Sequence, residues 1–224
     1  MKIEWDKIGE HYLEMGTDHG VLYPMTDTAT YGTGVAWNGL TAVTDQPGGA
    51  EPNDFYADNI KYASIRSAET WGATIEAYTY PVEFEECDGT WAPVKGVAVG
   101  QQTRKPFGFT YRTLVQNDTA TEDDDAYKIH ICYNCTASPS EKSYATVNDS
   151  PDAVTFSWEI TSTPVNVGIE NIKPCSTITV DSRQFMNGNA SKLKALEDKL
   201  YGTEEAEPTL PSPKEVLTLL GYSD

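Results

Sequence analysis

The sequence is short of basic residues, cysteine and histidine, and each shortage argues against a class of protein. Only 16 lysines and arginines stand against 34 aspartates and glutamates, which gives a formal net charge of -18. A protein that grips nucleic acid neutralises phosphates with clustered lysine and arginine, and no such stripe exists here. The charge favours either simple solubility or a surface that DNA passes without binding. Four scattered cysteines indicate a chain made and kept in a reducing cytosol.

Long apolar runs are also absent. No stretch approaches the roughly 20 residues of a membrane-spanning helix, and residues 1–6 (MKIEWD) lack the apolar core of a secretory signal. The sequence therefore predicts no membrane partner. Without a secretory route, the glycosylation tripeptides at Asn117, Asn134, Asn148 and Asn189 have no role.

Motifs of catalysis and cofactor binding are missing as well. His11, His19 and His130 lie in no hydrolase or zinc-protease motif. Residues 31–34 (YGTG) offer only two of the dinucleotide-fold glycines, and no helix is predicted after them. The carboxylate pairs are too numerous for one to be singled out as an acid/base couple. We therefore predict a protein that is not an enzyme, with no catalytic residue and no cofactor.

Two short segments have the residue types of a metal site. Cys132 and Cys135 have the spacing of half a zinc site, but no second pair exists. On a strand, positions three apart point to opposite faces, so the two sulfurs are expected to diverge. Residues 122–125 (EDDD) lack the spacing, glycine and final glutamate of a calcium loop, and a solvated turn is predicted. No metal site is predicted.

What the sequence does have is strand-forming residues, including 13 tyrosines and 5 tryptophans. Apolar and polar residues alternate strictly over residues 154–161 (VTFSWEIT), which predicts a strand with one buried face. Turn residues separate such segments, so the sequence predicts an antiparallel sandwich or barrel. The other strong strand segments are 71–78, 107–115 and 127–133, and the weaker ones are 31–44, 59–65, 143–147 and 177–181.

Helix is predicted only in short pieces. One piece covers residues 81–87 and stops at Asp88-Gly89. A second covers residues 190–201, capped by Asn189 and stopped by Gly202. Its stripe of leucines consists of Leu193, Leu196 and Leu200.

The chain ends in a separate segment. Residues 1–202 are predicted to form one β domain, and residues 203–224 a C-terminal arm that begins with an acidic linker. Ser212 and Glu215 have capping-box spacing with Pro213 at the first helical position, which predicts a terminal helix. Its apolar residues need a partner surface, on this subunit or on a neighbouring one.

A series of short sequence blocks resembles the corresponding blocks of one protein family. Their order and spacing match that family along most of the chain, from about Tyr31 to residues 209–211. They are residues 34–41 (GVAWNGLT), 56–59 (YADN), 74–78 (TIEAY), 81–84 (PVEF), 100–104 (GQQTR), 111–115 (YRTLV), 138–142 (SPSEK), 148–151 (NDSP) and 156–159 (FSWE). Together they resemble the major tail protein (tail tube protein) family of long non-contractile-tailed bacteriophages. Residues 182–190 and the N-terminal stretch are less characteristic.

This resemblance implies a mainly β, antiparallel sandwich-like or barrel-like tail-tube fold with one short helix. It implies six subunits to a ring and rings stacked into a hollow tube around a tape-measure protein. A tail terminator and a distal tail protein are the further expected partners. The tube later conducts DNA without specific binding, because an acidic lumen repels phosphate. The expected location is the tail of the virion, assembled in the cytoplasm of the host bacterium.

Residues 45–58 lie between two predicted strands and are longer than an ordinary hairpin turn. The resemblance assigns this loop to the stacking of one ring on the next; the alternative is a mobile surface loop. Its candidate contact residues are Asp45, Pro47, Gly48, Gly49, Glu51, Asp54, Tyr56 and Asp58. The candidate lumen-facing residues, taken from the polar faces of predicted strands, are Thr74, Glu76, Thr155, Ser157 and Glu159.

Three alternatives stay open at this point. A phage-derived injection device, such as a tail-like bacteriocin, has an inner tube of the same fold and chemistry. A monomeric carbohydrate- or surface-binding β-sandwich is expected to show a cleft with exposed aromatic residues. An enzyme needs an acid/base set that the sequence does not reveal.

Overall fold

The computed structural model describes residues 2–26, 30–119, 126–144, 146, 153–185 and 188–223. Antiparallel strands dominate, so the predicted mainly β fold is confirmed. None of the helices in these ranges is long and apolar enough to cross a membrane. The strands are β1 (Tyr12–Pro24), β2 (Val35–Trp37), β3 (Leu40–Asp45), β4 (Gly48–Gly49), β5 (Pro52–Ala57), β6 (Ile60–Arg66), β7 (Glu69–Thr70), β8 (Gly72–Ala77), β9 (Trp91–Val94), β10 (Val97–Val99), β11 (Phe107–Asn117), β12 (Ala126–Ala137), β13 (Phe156–Ser162) and β14 (Thr177–Asp181).

The helices are few and short. Helix α1 covers Ala190–Tyr201 and helix α2 covers Pro213–Leu219, with 3-10 turns at Val82–Phe84 and Ser182–Phe185. The helix predicted over residues 81–87 is therefore only one 3-10 turn.

The body of the molecule is one large antiparallel sheet with the strand order β2-β1-β11-β12-β13-β8-β3. The sheet curls round so that β3 lies against β1, which gives a barrel-like shape. Aromatic residues fill its interior: the ring of Trp37 lies 4.5 Å from that of Phe84 and 5.6 Å from that of Trp158, between centroids. Ile75 and Ile160 complete this fully buried core. The alternating segments of β8, β11 and β13 therefore pack their apolar faces into this core, as predicted, whereas the apolar face predicted for β12 does not.

A second core lies on the outside of the sheet, under the two helices. Leu196 of α1 and Val216 of α2 are fully buried against Ile129, Ile131 and Tyr133 of β12. The predicted leucine stripe of α1 is confirmed, since all three leucines belong to this core. Strand β12 thus has apolar residues on both faces, one for each core.

The helix ends largely follow the sequence signals. The Ser212 hydroxyl accepts a hydrogen bond from the Glu215 N–H at 3.3 Å, and Pro213 is the first residue of α2. Gly202 ends α1 with a positive φ of 79°, a conformation that glycine adopts at no steric cost. Asn189 does precede α1, but its side chain makes no capping hydrogen bond, so that part of the prediction is wrong.

The segment after Gly202 packs on the β domain of the same chain. Leu210 and Val216 are buried in the second core, and the Gly34 N–H donates to the Pro208 carbonyl at 2.9 Å. The Tyr133 hydroxyl donates to the Pro211 carbonyl at 3.1 Å. The partner surface that the terminal apolar residues need is therefore provided by the same chain.

Strand β1 is the longest strand and was not predicted. Gly16 and His19 have positive φ angles of 65° and 50°, and the register with β11 shifts between Met15 and Asp18 and again before Val21. These bulges interrupt the two-residue period, so the apolar pattern does not alternate. In the weakly predicted segment 143–147, the described residues form no strand.

The divergence predicted for Cys132 and Cys135 is wrong. Phe109 pairs with Cys132 and Phe107 with Cys135, so β12 has one extra residue, and Asn134 has a φ of 48°. This bulge places both cysteines on the same face, buried in the barrel core. Across the described ranges there is no group of three or more metal-binding side chains. Residues 122–125 lie outside the described residues.

Candidate assembly surfaces

The segment predicted as a stacking loop is one limb of a long β-hairpin. Strand β4 pairs with β7 and β5 with β6, and the hairpin rises from β3 and returns into β8. Its tip is the two-residue turn Asp58-Asn59, in which both residues have positive φ, as such turns require. The prediction of a loop over residues 45–58 is therefore wrong. Residues 46–71 are called the projecting hairpin from here on.

The proline and glycines of this segment favoured the prediction of a loop. A two-stranded β-ribbon, however, tolerates these residues. Gly48 and Gly49 pair with Thr70 and Glu69, and Pro52 opens β5 opposite Arg66. Each limb has a solvent-facing edge. A residue without an N–H is tolerated there, because no hydrogen bond between strands is lost.

The predicted contact residues lie along this limb rather than in one cluster. Asp45 ends β3 and Asp58 forms part of the tip, and the thirteen steps between them span about 43 Å when extended. Pro47, Gly48, Gly49 and Glu51 lie in its lower part, and Asp54 and Tyr56 belong to β5.

The outer part of the projecting hairpin has two different faces. Asn53 pairs with Ile65 and Phe55 with Ala63, so Phe55 and Ile65 share one face. Their exposed fractions are 46% and 61%, and nothing in the described chain covers them. On the other face, the Asp54 carboxylate accepts from Ser64 Oγ at 2.6 Å and pairs with Lys61 Nζ at 2.8 Å. The tip therefore presents an apolar face to its surroundings.

Four of the five candidate lumen residues lie together. Ser157 pairs with Glu76, and Glu159 with Thr74, across β13 and β8 on the outer face of the barrel. The Thr74 hydroxyl accepts a hydrogen bond from Gln46 Nε2 at 3.0 Å. Thr155 precedes β13 and is exposed. We call Thr74, Glu76, Ser157 and Glu159 the polar patch.

A different part of the molecule has the geometry of a sheet that can be extended. The first half of β1, the second half of β11, the first half of β12, and β14 form a four-stranded sheet beyond the barrel. We call it the open sheet. Helix α1 covers one face of it, through Ile129, Val180 and Leu196.

The other face of the open sheet is polar. The Thr113 hydroxyl donates to Glu14 Oε1 at 2.6 Å and lies 3.0 Å from His130 Nε2, and Lys128 Nζ pairs with Glu14. Because the Thr113 hydrogen goes to Glu14, its oxygen is left to accept from His130 Nε2–H. The His130 ring stacks on Tyr111 with centroids 4.6 Å apart, and burial lowers the His130 pKa. Thr179 of β14 continues this face.

Among the described residues, no further strand pairs with either edge of the open sheet. Strand β2 covers β1 only at Gly20–Leu22, so residues 12–18 have no outer partner strand in the described chain. Strand β14 pairs with β12 alone among the described strands. Because neighbouring strands are antiparallel throughout, β1 and β14 run in opposite directions. Such edges are templates for pairing with another chain.

The residues of the polar face were not predicted from the sequence as one surface. Lys128 and His130 alternate with the apolar Tyr127, Ile129 and Ile131, so the polar half of that predicted strand contained the signal. Comparison with protein-family models gives no match, and comparison with curated proteins gives none either.

Proposed function

We propose that this chain is the repeating subunit of a phage tail tube, in which rings of six copies stack into a hollow tube that conducts DNA. The observation that carries the proposal is the open sheet, with two free edges that run in opposite directions. The edge of β14 in one copy can pair with the β1 edge of the next copy in antiparallel fashion. Repetition of that contact around a ring leaves no free edge.

The strand count supports an open channel. Six copies of a four-stranded sheet give about 24 strands, and at about 4.8 Å per strand the wall has a circumference of about 115 Å. Barrels of 16–18 strands already enclose an aqueous channel. A ring of this kind therefore leaves space inside its wall.

The faces of the open sheet support one orientation of the wall in the proposed tube. Since α1 covers the apolar face, the face with Thr113, Lys128, His130 and Thr179 is the one that turns inward. Lys128 is paired with Glu14, so this cation is already neutralised. In a chain of net charge -18, such a wall offers phosphate little to bind. The polar patch is the competing lumen surface, but its strands β13 and β8 lie within the closed part of the sheet.

The projecting hairpin supports stacking along the tube. It extends about 40 Å from the barrel, and its exposed Phe55, Ile60 and Ile65 need a cover. A neighbouring ring provides one. The inner tube of a phage-derived injection device uses the same surfaces, and the two functions differ in whether a DNA-filled head is attached.

Light scattering and negative-stain microscopy of the purified protein test the proposal. We expect hexameric rings or hollow tubes of uniform diameter. A protein that stays monomeric at high concentration contradicts the proposal and favours a monomeric binding module.

A further inference from the structure

A second hairpin, formed by β9 and β10, exposes only apolar side chains on its strands. Val94 pairs with Val97 and Trp91 with Val99, around a tip made of Lys95 and Gly96. The exposed fractions are 55% for Trp91, 64% for Val94, 50% for Val97 and 39% for Val99. We call residues 90–100 the short hairpin.

The short hairpin buries none of its apolar side chains. Residues between the paired positions, Ala92, Pro93 and Ala98, are apolar as well, and every residue of both strands is exposed. A two-stranded hairpin by itself is marginally stable in water. An apolar one that projects into solvent therefore indicates a surface that a partner covers.

Its charge indicates the kind of partner. From Gly89 to Asn117 the sequence has no aspartate or glutamate, although the chain has 34 of them. Lys95 at the tip has no ion pair among the described residues. A basic, apolar hairpin on a chain of net charge -18 is complementary to an acidic, apolar surface.

The projecting hairpin is such a surface. Residues 46–71 contain four acidic residues (Glu51, Asp54, Asp58 and Glu69) and two basic ones, Lys61 and Arg66, and thus have a net charge of -2. Their exposed apolar face contains Phe55, Ile60 and Ile65.

The projecting hairpin precedes β8 in the chain and the short hairpin follows it. The projecting hairpin leaves where Asp45 pairs with Ala73, at the start of β8. The short hairpin is reached from the other end of β8, where Ala77 pairs with Leu40 and Phe156. Its base is closed by the hydrogen bond from the Gln102 N–H to the Gly89 carbonyl, at 2.9 Å. Within one molecule, no strand pairing, hydrogen bond or ion pair joins the two hairpins among the described residues.

We propose that the short hairpin binds the apolar face of the projecting hairpin of a second copy, the next one along the stack. The contact is head-to-tail, and a head-to-tail contact that does not close repeats without limit. It also removes both apolar hairpins from water. The inference rests on the proposed tube, and it identifies the surface that receives the projecting hairpin.

Zero-length cross-linking of the unmodified protein tests the contact directly. Equal amounts of isotope-labelled and unlabelled protein are assembled together and treated with a carbodiimide, which joins lysine amines to carboxylates in direct contact. We expect mixed-isotope peptides that join Lys95 to Glu51, Asp58 or Glu69. Assembled tubes in which Lys95 joins only acids outside residues 46–71 contradict the inference and leave the proposed function intact.

Two variants test how much the proposed contact between the hairpins contributes to tube formation. Trp91→Ala should raise the protein concentration needed for tube formation at least about tenfold, because truncating a central buried tryptophan is among the most costly interface changes. The matched control is Ile172→Ala, which removes a side chain of similar exposure, 53%, outside both hairpins and should change nothing. Both variants should keep the wild-type thermal unfolding transition.

The outcomes separate the two proposals. If Trp91→Ala forms tubes at the wild-type concentration, the inference is wrong and the tube proposal stands. If the unmodified protein forms neither rings nor tubes and gives no mixed-isotope product, both proposals fail together.

Discussion

The carboxylate of Asp18 accepts hydrogen bonds from Arg112 Nε at 2.9 Å and from Arg112 Nη2 at 3.0 Å. This bidentate pair joins β1 to β11 between the two bulges of β1. The Arg112 guanidinium also lies 4.6 Å from the centre of the Tyr127 ring, and the Tyr127 hydroxyl donates to Glu197 Oε1 at 2.6 Å. The contacts therefore connect the open sheet to helix α1.

We expect Asp18→Asn to lower the free energy of unfolding by about 1 kcal/mol at neutral pH. Charge-assisted bidentate pairs are strong, but this carboxylate is 37% exposed and its interaction is screened by water. Urea denaturation of the unassembled protein measures the change. The control Asp198→Asn removes an exposed pair with Lys194 on α1 and should have little effect.

The same ion pair predicts the direction in which the stability of the protein depends on pH. Burial tends to raise the pKa of Asp18, but the hydrogen bonds and charge of Arg112 outweigh it and lower the pKa below 3.8. Stability from this group is therefore present above pH 3.8 and is lost as the pH falls through the folded-state pKa. The difference in the free energy of unfolding between the wild type and Asp18→Asn should decrease over that pH range. A difference that persists in strong acid contradicts the assignment.

Replacement of residues 48–70 by Asn-Gly should abolish tube formation but preserve the fold. Asp45 still pairs with Ala73, and an Asn-Gly turn suits a two-residue hairpin connection. Because β4 to β7 pair only with one another, their loss leaves both cores intact. Thermal unfolding should stay cooperative, and electron microscopy should show rings at most. Normal tubes from this variant contradict a stacking role.

Cysteine labelling can decide which surface lines the channel of the proposed tube. In a Cys175→Ser background, we expect Thr179→Cys in assembled tubes to react with a small maleimide but not with one attached to a protein-sized polymer. Ser157→Cys in the polar patch should react with both. The reverse pattern supports the polar patch as the lumen wall. The monomer, in which both sites should react with both reagents, is the control.

The native thiols should differ sharply in reactivity. Burial raises the pKa of Cys87 to about 12 and raises the pKa of the fully buried Cys132 and Cys135 as well. Burial raises the pKa of Cys175 as well, but its side chain is only half-buried, so Cys175 alone should be accessible to Ellman's reagent at neutral pH. All four should react in denaturant. Elemental analysis should find no zinc, and zinc retained in proportion to protein contradicts the absence of a metal site.

Duplex DNA should not bind at physiological salt. A chain of net charge -18 releases no phosphate counterions on contact, and the Lys128 and Arg112 side chains are already paired with acids. A gel-shift titration at micromolar protein measures this. A shift that weakens as salt rises is the result that contradicts a repulsive channel.

Much of the fold could be predicted from the sequence, because alternation and caps are local signals. The apolar faces of β8, β11, β12 and β13 and the leucine stripe of α1 each follow from spacing along a few residues. The capping box at Ser212 is likewise contained within four residues.

The candidate assembly surfaces could not be predicted, because they depend on pairing between distant residues. Strand β1 has bulges at Gly16 and His19, and only its ladder with β11 makes it a strand. The bulge that turns Cys132 and Cys135 to one face is likewise set by Phe107 and Phe109.

The sequence by itself determined the class of fold and the net charge of -18, because these depend on composition and local periodicity. Only the tertiary structure decided which edges are open and which apolar faces lack a cover. Residues 45–58 contain the proline and glycines of a loop, yet residues 60–70 pair with them to make a hairpin limb. Whether a strand edge is free depends on which strand lies beside it, and no local pattern contains that information.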